Sequence, residues 1–272
     1  MARAADRHSV QGSRKVIKQY SLARILIIWA AAALPMALLG WVVAPALGAN
    51  SEQPGFVRLA VMTAGLVWQF VLVIIVLGRE GIDRSWSAIR RSLWLTKPRS
   101  PESGRPRSGL WWWVLPLLIL TAAYQFLAAP VVHDLWISVF PGLAEPPGFS
   151  LAGYLESPGG RAQIDGAWGV LALFSISAVF NTVLGEELLF RGLLLPRMNG
   201  VFGRWDWAAN GLLFGVYHLS QPWTILGSSI LGAFFFALPS KRYRCAWFGI
   251  LAHSGQSVYF LILILGLVLG LA

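Results

Sequence analysis

Residues 167–190 read AWGVLALFSISAVFNTVLGEELLF, and Arg191 follows. Twenty-four residues with no charge before Glu186 and Glu187 are long enough to cross about 30 Å of hydrocarbon, which takes ~20 apolar residues in a helix. Runs of comparable character occur at roughly 25–47, 56–77, 110–132, 207–220, 223–238 and 246–271. The fifth and sixth runs in chain order, 207–220 and 223–238, are short and meet at Gln221-Pro222, which reads as a tight turn or a partly re-entrant pair. The composition agrees with a lipid solvent: 12% of residues are charged and mean hydropathy is +0.62, against about 25% charged in soluble domains. The expected fold class is all-α, a polytopic transmembrane bundle of about seven to eight helices. Each span satisfies its own backbone, so no division into globular domains is needed.

The net charge of +10 does not point to nucleic acid, because of where it sits. Of 22 Lys and Arg residues, 20 lie in segments 1–24, 78–108, 191–206 and 239–245. If the seven runs cross, all four segments fall on one side, and the positive-inside rule makes that side and the N-terminus cytoplasmic. The expected location is the plasma (inner) membrane, with lipids as partners and no nucleic acid. The organisation follows: a basic segment 1–24, helices over 25–132 with a cytoplasmic linker 78–109, an extracytoplasmic segment 133–166, and a helical core 167–272. Within 84–96, Trp86, Ile89, Leu93 and Trp94 recur at helical spacing, as a short helix on the anionic leaflet or a solvated loop. The Pro-, Ser-, Gly- and Arg-rich stretch 98–109 reads as a flexible linker, and 141–160 as irregular. No cleavable signal is evident, and the single cysteine, Cys245, reads as inert packing.

From Gly166 onward the only acids are Glu186, Glu187 and Asp206, and the only histidines are His218 and His253. An unpaired charge at bilayer depth costs at least ~2.5–3.5 kcal/mol, so such groups pair, line a wet cavity or do chemistry. Glu187 and Arg191 are four apart, acid first, the favourable order for a pair on one helix face. Glu186 is rotated by about 100° from Glu187 and needs a partner from another helix. At ~1.5 Å per residue, Glu186, His218 and His253 reach the cytoplasmic half of the bilayer together. One glutamate and two histidines from three helices form either a water-activating set or a Glu/His/His metal site.

Glu186-Glu187-x-x-x-Arg191, Phe214-x-x-x-His218 and His253-x-x-x-Ser257 on successive helices resemble the three motifs of the CAAX-protease and bacteriocin-processing (CPBP, or Abi) membrane family. The resemblance covers about 181–260. It implies that Glu186 activates the attacking water with help from His218, that Glu187 supports the site through Arg191, and that His253 stabilises the oxyanion. A glutamate kept from bulk water suits a general base working near neutral pH. The chain departs from the family at Ser257, where the motif has Asn or Asp; a lost oxyanion donor costs ~10²–10³ in rate. The expected function is an intramembrane endopeptidase acting on a membrane-anchored or amphipathic protein or peptide. Three alternatives stand beside it: a zinc form with Glu186, His218 and His253 as ligands, a catalytically silent immunity or scaffold member, and a proton-coupled transporter. No cofactor is expected unless zinc is bound. Substrate identity and oligomeric state are not legible.

Overall fold

A computed structural model describes residues 17–146 and 149–271. The first sixteen residues of the basic N-terminal segment lie outside it. Among the described residues no strand forms, and six helical stretches are long and apolar enough to cross a membrane. They are α1 (Leu22–Gly48), α2 (Pro54–Arg79), α4 (Ser108–Val139), α5 (Trp168–Arg197), α7 (Pro222–Tyr243) and α8 (Trp247–Val268). Two shorter helices complete the frame, α3 (Trp86–Ser92) and α6 (Asp206–Tyr217). The chain is a multi-pass helical membrane protein.

The fifth apolar run is α6. Its 12 residues give about 18 Å of helix, short of the hydrocarbon thickness, so it is not a free-standing span. It survives by close packing on α7. A Cβ on Gly211 would lie 2.3 Å from the backbone nitrogen of Ala233, and one on Gly215 would lie 1.8 Å from Ser229 Oγ. Gly211-x-x-x-Gly215 is thus the small-x-x-x-small seam that lets two backbones meet where no hydrophobic effect drives helices together.

The spans are tied by hydrogen bonds to carbonyls left free inside them. Pro35 lacks the N–H that would bond the Ala31 carbonyl, and Trp68 Nε1 of α2 donates to that carbonyl at 2.8 Å. Asn210 Nδ2 of α6 donates to the Phe190 carbonyl of α5 at 2.9 Å. That bond sets α6 beside the segment carrying Glu186 and Glu187.

Residues from the basic segments gather at one end of the bundle. Arg197 Nη2 pairs with Glu80 at 2.8 Å, Arg24 reaches the same carboxylate at 3.5 Å, and Arg197 Nη1 donates to the Ser92 carbonyl. Burial pushes the Glu80 pKa up, but hydrogen bonds from Arg197 and the charges of Arg197 and Arg24 outweigh it and hold the carboxyl below its usual range. Lys241 pairs with Asp206 and donates to the Arg204 carbonyl at 3.0 Å. At the opposite end, Arg58 Nη2 donates to the Ser220 carbonyl and Gly166 N to the Val268 carbonyl.

The linker segments are more ordered than their composition predicts. Arg99 and Pro106 form an antiparallel bridge, and Arg99 N donates to the Tyr243 carbonyl at 2.8 Å. The 98–109 stretch is therefore a closed turn docked on the end of α7. Helix α3 stops at Ser92, and Leu93 and Leu95 turn into the core, leaving Trp86 exposed. Segment 141–160 contains short helices at Leu151–Glu156 and Pro158–Ile164, each N-capped by a serine hydroxyl. Cys245 is buried with its Sγ on the Thr96 carbonyl, and burial pushes its thiol up to about 12, as expected of inert packing.

Candidate active site

Helix α5 is wound unusually wide on both sides of its glutamates, over Phe180–Gly185 and Leu188–Leu194, where hydrogen bonds run to the fifth residue. Such turns are rare and concentrate at functional sites. The consequence here is local: a wide turn brings residues five apart together, and Asn181 meets Glu186. The Asn181 carboxamide lies against both Glu186 carboxylate oxygens, and with its nitrogen swung toward them it donates to each at 3.1 Å. Gly185 permits the approach of α2, since a Cβ there would lie 2.9 Å from the Leu66 carbonyl.

Glu187 faces the other way and holds two partners on one oxygen. Its Oε1 accepts from Arg191 Nη1 at 2.9 Å and lies 3.1 Å from His253 Nδ1 of α8. Arg191 and Glu187 are fully buried, and His253 is 7% exposed. Arg191 also donates from Nη2 to the Gly232 carbonyl at 3.1 Å, and its guanidinium lies 4.2 Å from the Phe214 ring centre. A cation on an aromatic face is most favourable when desolvated, as it is here. A carboxylate partner at Nδ1 assigns the proton to that nitrogen, which leaves His253 Nε2 for other work. The ring stacks on Phe236 at 4.8 Å.

His218 caps α6, where its Nδ1 donates to the Phe214 carbonyl at 2.9 Å. That bond leaves Nε2 as a lone-pair acceptor. The Phe214 ring touches both imidazoles, with centres 5.0 Å from His218 and 6.1 Å from His253. Of the six residues singled out in the sequence, Glu186, Glu187, Arg191 and His253 stand together in the buried interior, and His218 adjoins them across Phe214. The Ser257 side chain, one turn beyond His253, makes no hydrogen bond among the described residues. Gln256 does not substitute for it, because its Nε2 donates to Gln125 Oε1 of α4 at 2.7 Å.

Three residues around Glu186 escaped the sequence reading: Asn181, Tyr217 and Gln69. Gln69 of α2 is fully buried and donates to Tyr217 Oη at 2.6 Å, and the Tyr217 hydroxyl comes near Glu186. The signal that could have found them is the one that found the glutamates, since an amide in a lipid-facing sequence is also costly without a partner. Ser240 and Gly249 close the site from the basic end. A Cβ on Gly249 would lie 2.5 Å from Glu187 Oε2 and 3.1 Å from Arg191 Cγ. Gly249→Ala is therefore expected to cost about 1–3 kcal/mol by overpacking, read as a lower unfolding temperature in detergent; unchanged stability would mean that Glu187 has room to move.

Among the described residues, no group of three or more His, Cys, Asp and Glu side chains is arranged to hold a metal ion. The Nδ1 atoms of His218 and His253 face a carbonyl and Glu187, which leaves both Nε2 atoms open. A zinc site on Glu186, His218 and His253 would require their ligating atoms to draw together, and the chemistry below is derived from the protein groups.

Comparison with curated proteins and with solved structures gave no match. Residues 168–259, about a third of the chain, match the family model described as type II CAAX prenyl endopeptidase Rce1-like. The matched stretch runs from the first residue of α5 past Ser257 and contains all three motifs. Segment 168–259 of this multi-pass membrane protein is thus similar to the Rce1-like CAAX-type endopeptidases.

Proposed function

We propose that this protein is an intramembrane endopeptidase that cleaves a membrane-anchored or amphipathic protein or peptide without a metal ion. Glu186 removes a proton from water as the oxygen adds to the scissile carbonyl carbon. His218 Nε2 accepts a hydrogen bond from that water and fixes its direction. The resulting oxyanion faces His253, which donates from Nε2 when its ring carries both protons. As the C–N bond breaks, the proton held by Glu186 passes to the departing amine. Arg191 positions Glu187 and does not touch the substrate. The observation carrying this reading is the chain Arg191–Glu187–His253 beside a Glu186 held at both oxygens, an acid–base pair split into two roles by its surroundings.

The clustering of Lys and Arg at one end supports a plasma (inner) membrane protein with that end and the N-terminus in the cytoplasm, and a reaction toward that leaflet. Cleavage of a prenylated CAAX substrate is one form of this activity, and nothing in the site selects it over other membrane-anchored peptides. A catalytically silent role is the second reading, favoured by Ser257, whose hydroxyl sits on a shorter arm than the Asn or Asp of the family motif. Membrane peptidomes of cells carrying the intact protein and Glu186→Gln are the test: products that vanish with the variant support hydrolysis, and identical peptidomes sink it. Activity of the purified enzyme is expected to withstand a strong zinc chelator. Loss on chelation, restored by zinc alone, would replace the water-activating glutamate with a metal site.

A further inference from the structure

At the basic end of the bundle a cleft of about 1370 Å³ opens between the ends of α2, α5 and α7, the α3 segment and the docked turn at Arg99–Gly104. Eight basic side chains line it against three acidic ones. Two of the cations are committed: Arg197 to Glu80 and Ser92, and Lys241 to Asp206. Lys18, Arg91, Arg204, Arg242 and Arg244 also line it, and none has a carboxylate at ion-pair distance among the described residues.

A topology signal explains why cations lie at this end, since any loop on the inner face would carry them. It does not explain a concave arrangement drawn from five separate segments. Trp94 and Arg244 are the two non-glycine residues with positive φ among the described residues, at 52° and 47°, and both line the cleft. Bulky residues in that region are strained and persist where the surroundings hold them. Here the Ala246 N–H donates to the Trp94 carbonyl at 3.0 Å, and the Arg99 N–H to the Tyr243 carbonyl at 2.8 Å. Both turns are left-handed caps that end helices, closed by Leu95 N–H on the Arg90 carbonyl and Cys245 N–H on the Ser240 carbonyl, and they carry lining residues Trp94 and Arg244 into the cleft.

Depth identifies the ligand. The lining includes Glu80 just past α2, Leu195–Arg197 closing α5, and Leu238 and Lys241 near the end of α7. Exposed Trp86, Trp112 and Trp205 lie at the same end, as interfacial anchors do. The cleft is therefore level with the lipid headgroups. We propose that it is a binding site for the phosphate of an anionic phospholipid headgroup, with Arg91, Arg242 and Arg244 as its principal ligands. This assignment is independent of whether the protein hydrolyses peptides.

The test uses the intact protein purified in detergent, titrated with phosphatidylglycerol or phosphatidylcholine and read by native mass spectrometry. Phosphatidylglycerol is expected to be retained, phosphatidylcholine not, and inorganic phosphate is expected not to displace the lipid. At about a fivefold effect for each surface cation, replacing Arg91, Arg242 and Arg244 together by Gln should weaken retention on the order of a hundredfold. The same charge removed outside the cleft, as Arg84→Gln, Arg105→Gln and Arg107→Gln, should change it less than twofold. Arg242→Gln alone, an exposed change, should cost about fivefold and serves if the triple variant does not fold. Equal losses in the two triple variants would overturn the site in favour of diffuse surface charge. Equal retention of phosphatidylcholine would overturn it, as would displacement by phosphate, which would mark a soluble-anion site.

Discussion

Glu186→Gln is expected to leave the protein folded in membranes while lowering peptide hydrolysis on the order of 10²–10⁴-fold, the usual contribution of a positioned general base. The two halves of this expectation rest on different contacts. Glu186 is buried, so a change of size or charge would ordinarily disturb the bundle. Its polar partner, however, is the Asn181 carboxamide, 3.1 Å from both carboxylate oxygens. A carboxamide presents either its oxygen or its nitrogen by a half-turn, so it satisfies a neutral Gln as well as a carboxylate. What the variant lacks is a lone pair basic enough to take a proton from water. Hydrolysis by purified protein in liposomes, beside the unfolding temperature of each form, separates the halves. Undiminished cleavage by a folded Glu186→Gln protein would remove Glu186 from the mechanism.

Arg191→Ala is expected to act first on folding. The guanidinium is fully buried among Phe190, Phe214 and Phe236 and pairs with a fully buried Glu187. Taking away one member of such a pair costs about 3–5 kcal/mol, chiefly because the other charge stays desolvated. Glu187 would keep only His253, with Oε2 already lacking a partner. A lower unfolding temperature and poor recovery from membranes are the measurable signs. Glu187→Gln combined with Arg191→Met removes both charges and keeps the volume, so it should regain much of the stability. It should not regain activity, because His253 loses the carboxylate that orients it. A stable single variant would show that the pair contributes little to folding, and an active double variant that Glu187 does not act through His253.

Much of the architecture follows from residue order. Apolar runs of membrane-crossing length predict the helices, and the placement of Lys and Arg predicts which connections share an end. Residues Arg24, Glu80, Arg99, Arg197, Lys241 and Tyr243 do converge there. The Glu187–Arg191 pair needed only the helical period. The weaker expectations concerned connections. Composition marked 98–109 as a linker, yet backbone bonds from Arg99 to Tyr243 and from Arg107 to Pro98 close it into a docked turn. Side-chain composition does not report such backbone pairings.

The candidate site divides along the same line. Chain order singled out Glu186, Glu187, Arg191, His218 and His253 as candidates, because ionisable groups in apolar helices are costly. Folding decided their partners. The sequence placed His253 in the same set as Glu186; the structure puts its Nδ1 on Glu187, because α8 approaches α5 through Gly249, where a methyl group would strike the carboxylate. Asn181 meets Glu186 only because α5 is wound wide between them, and a regular helix would have turned the two apart. Periodicity records which residues share a helix face. Partners across helices depend on interhelical distance and local winding, and those are settled by packing.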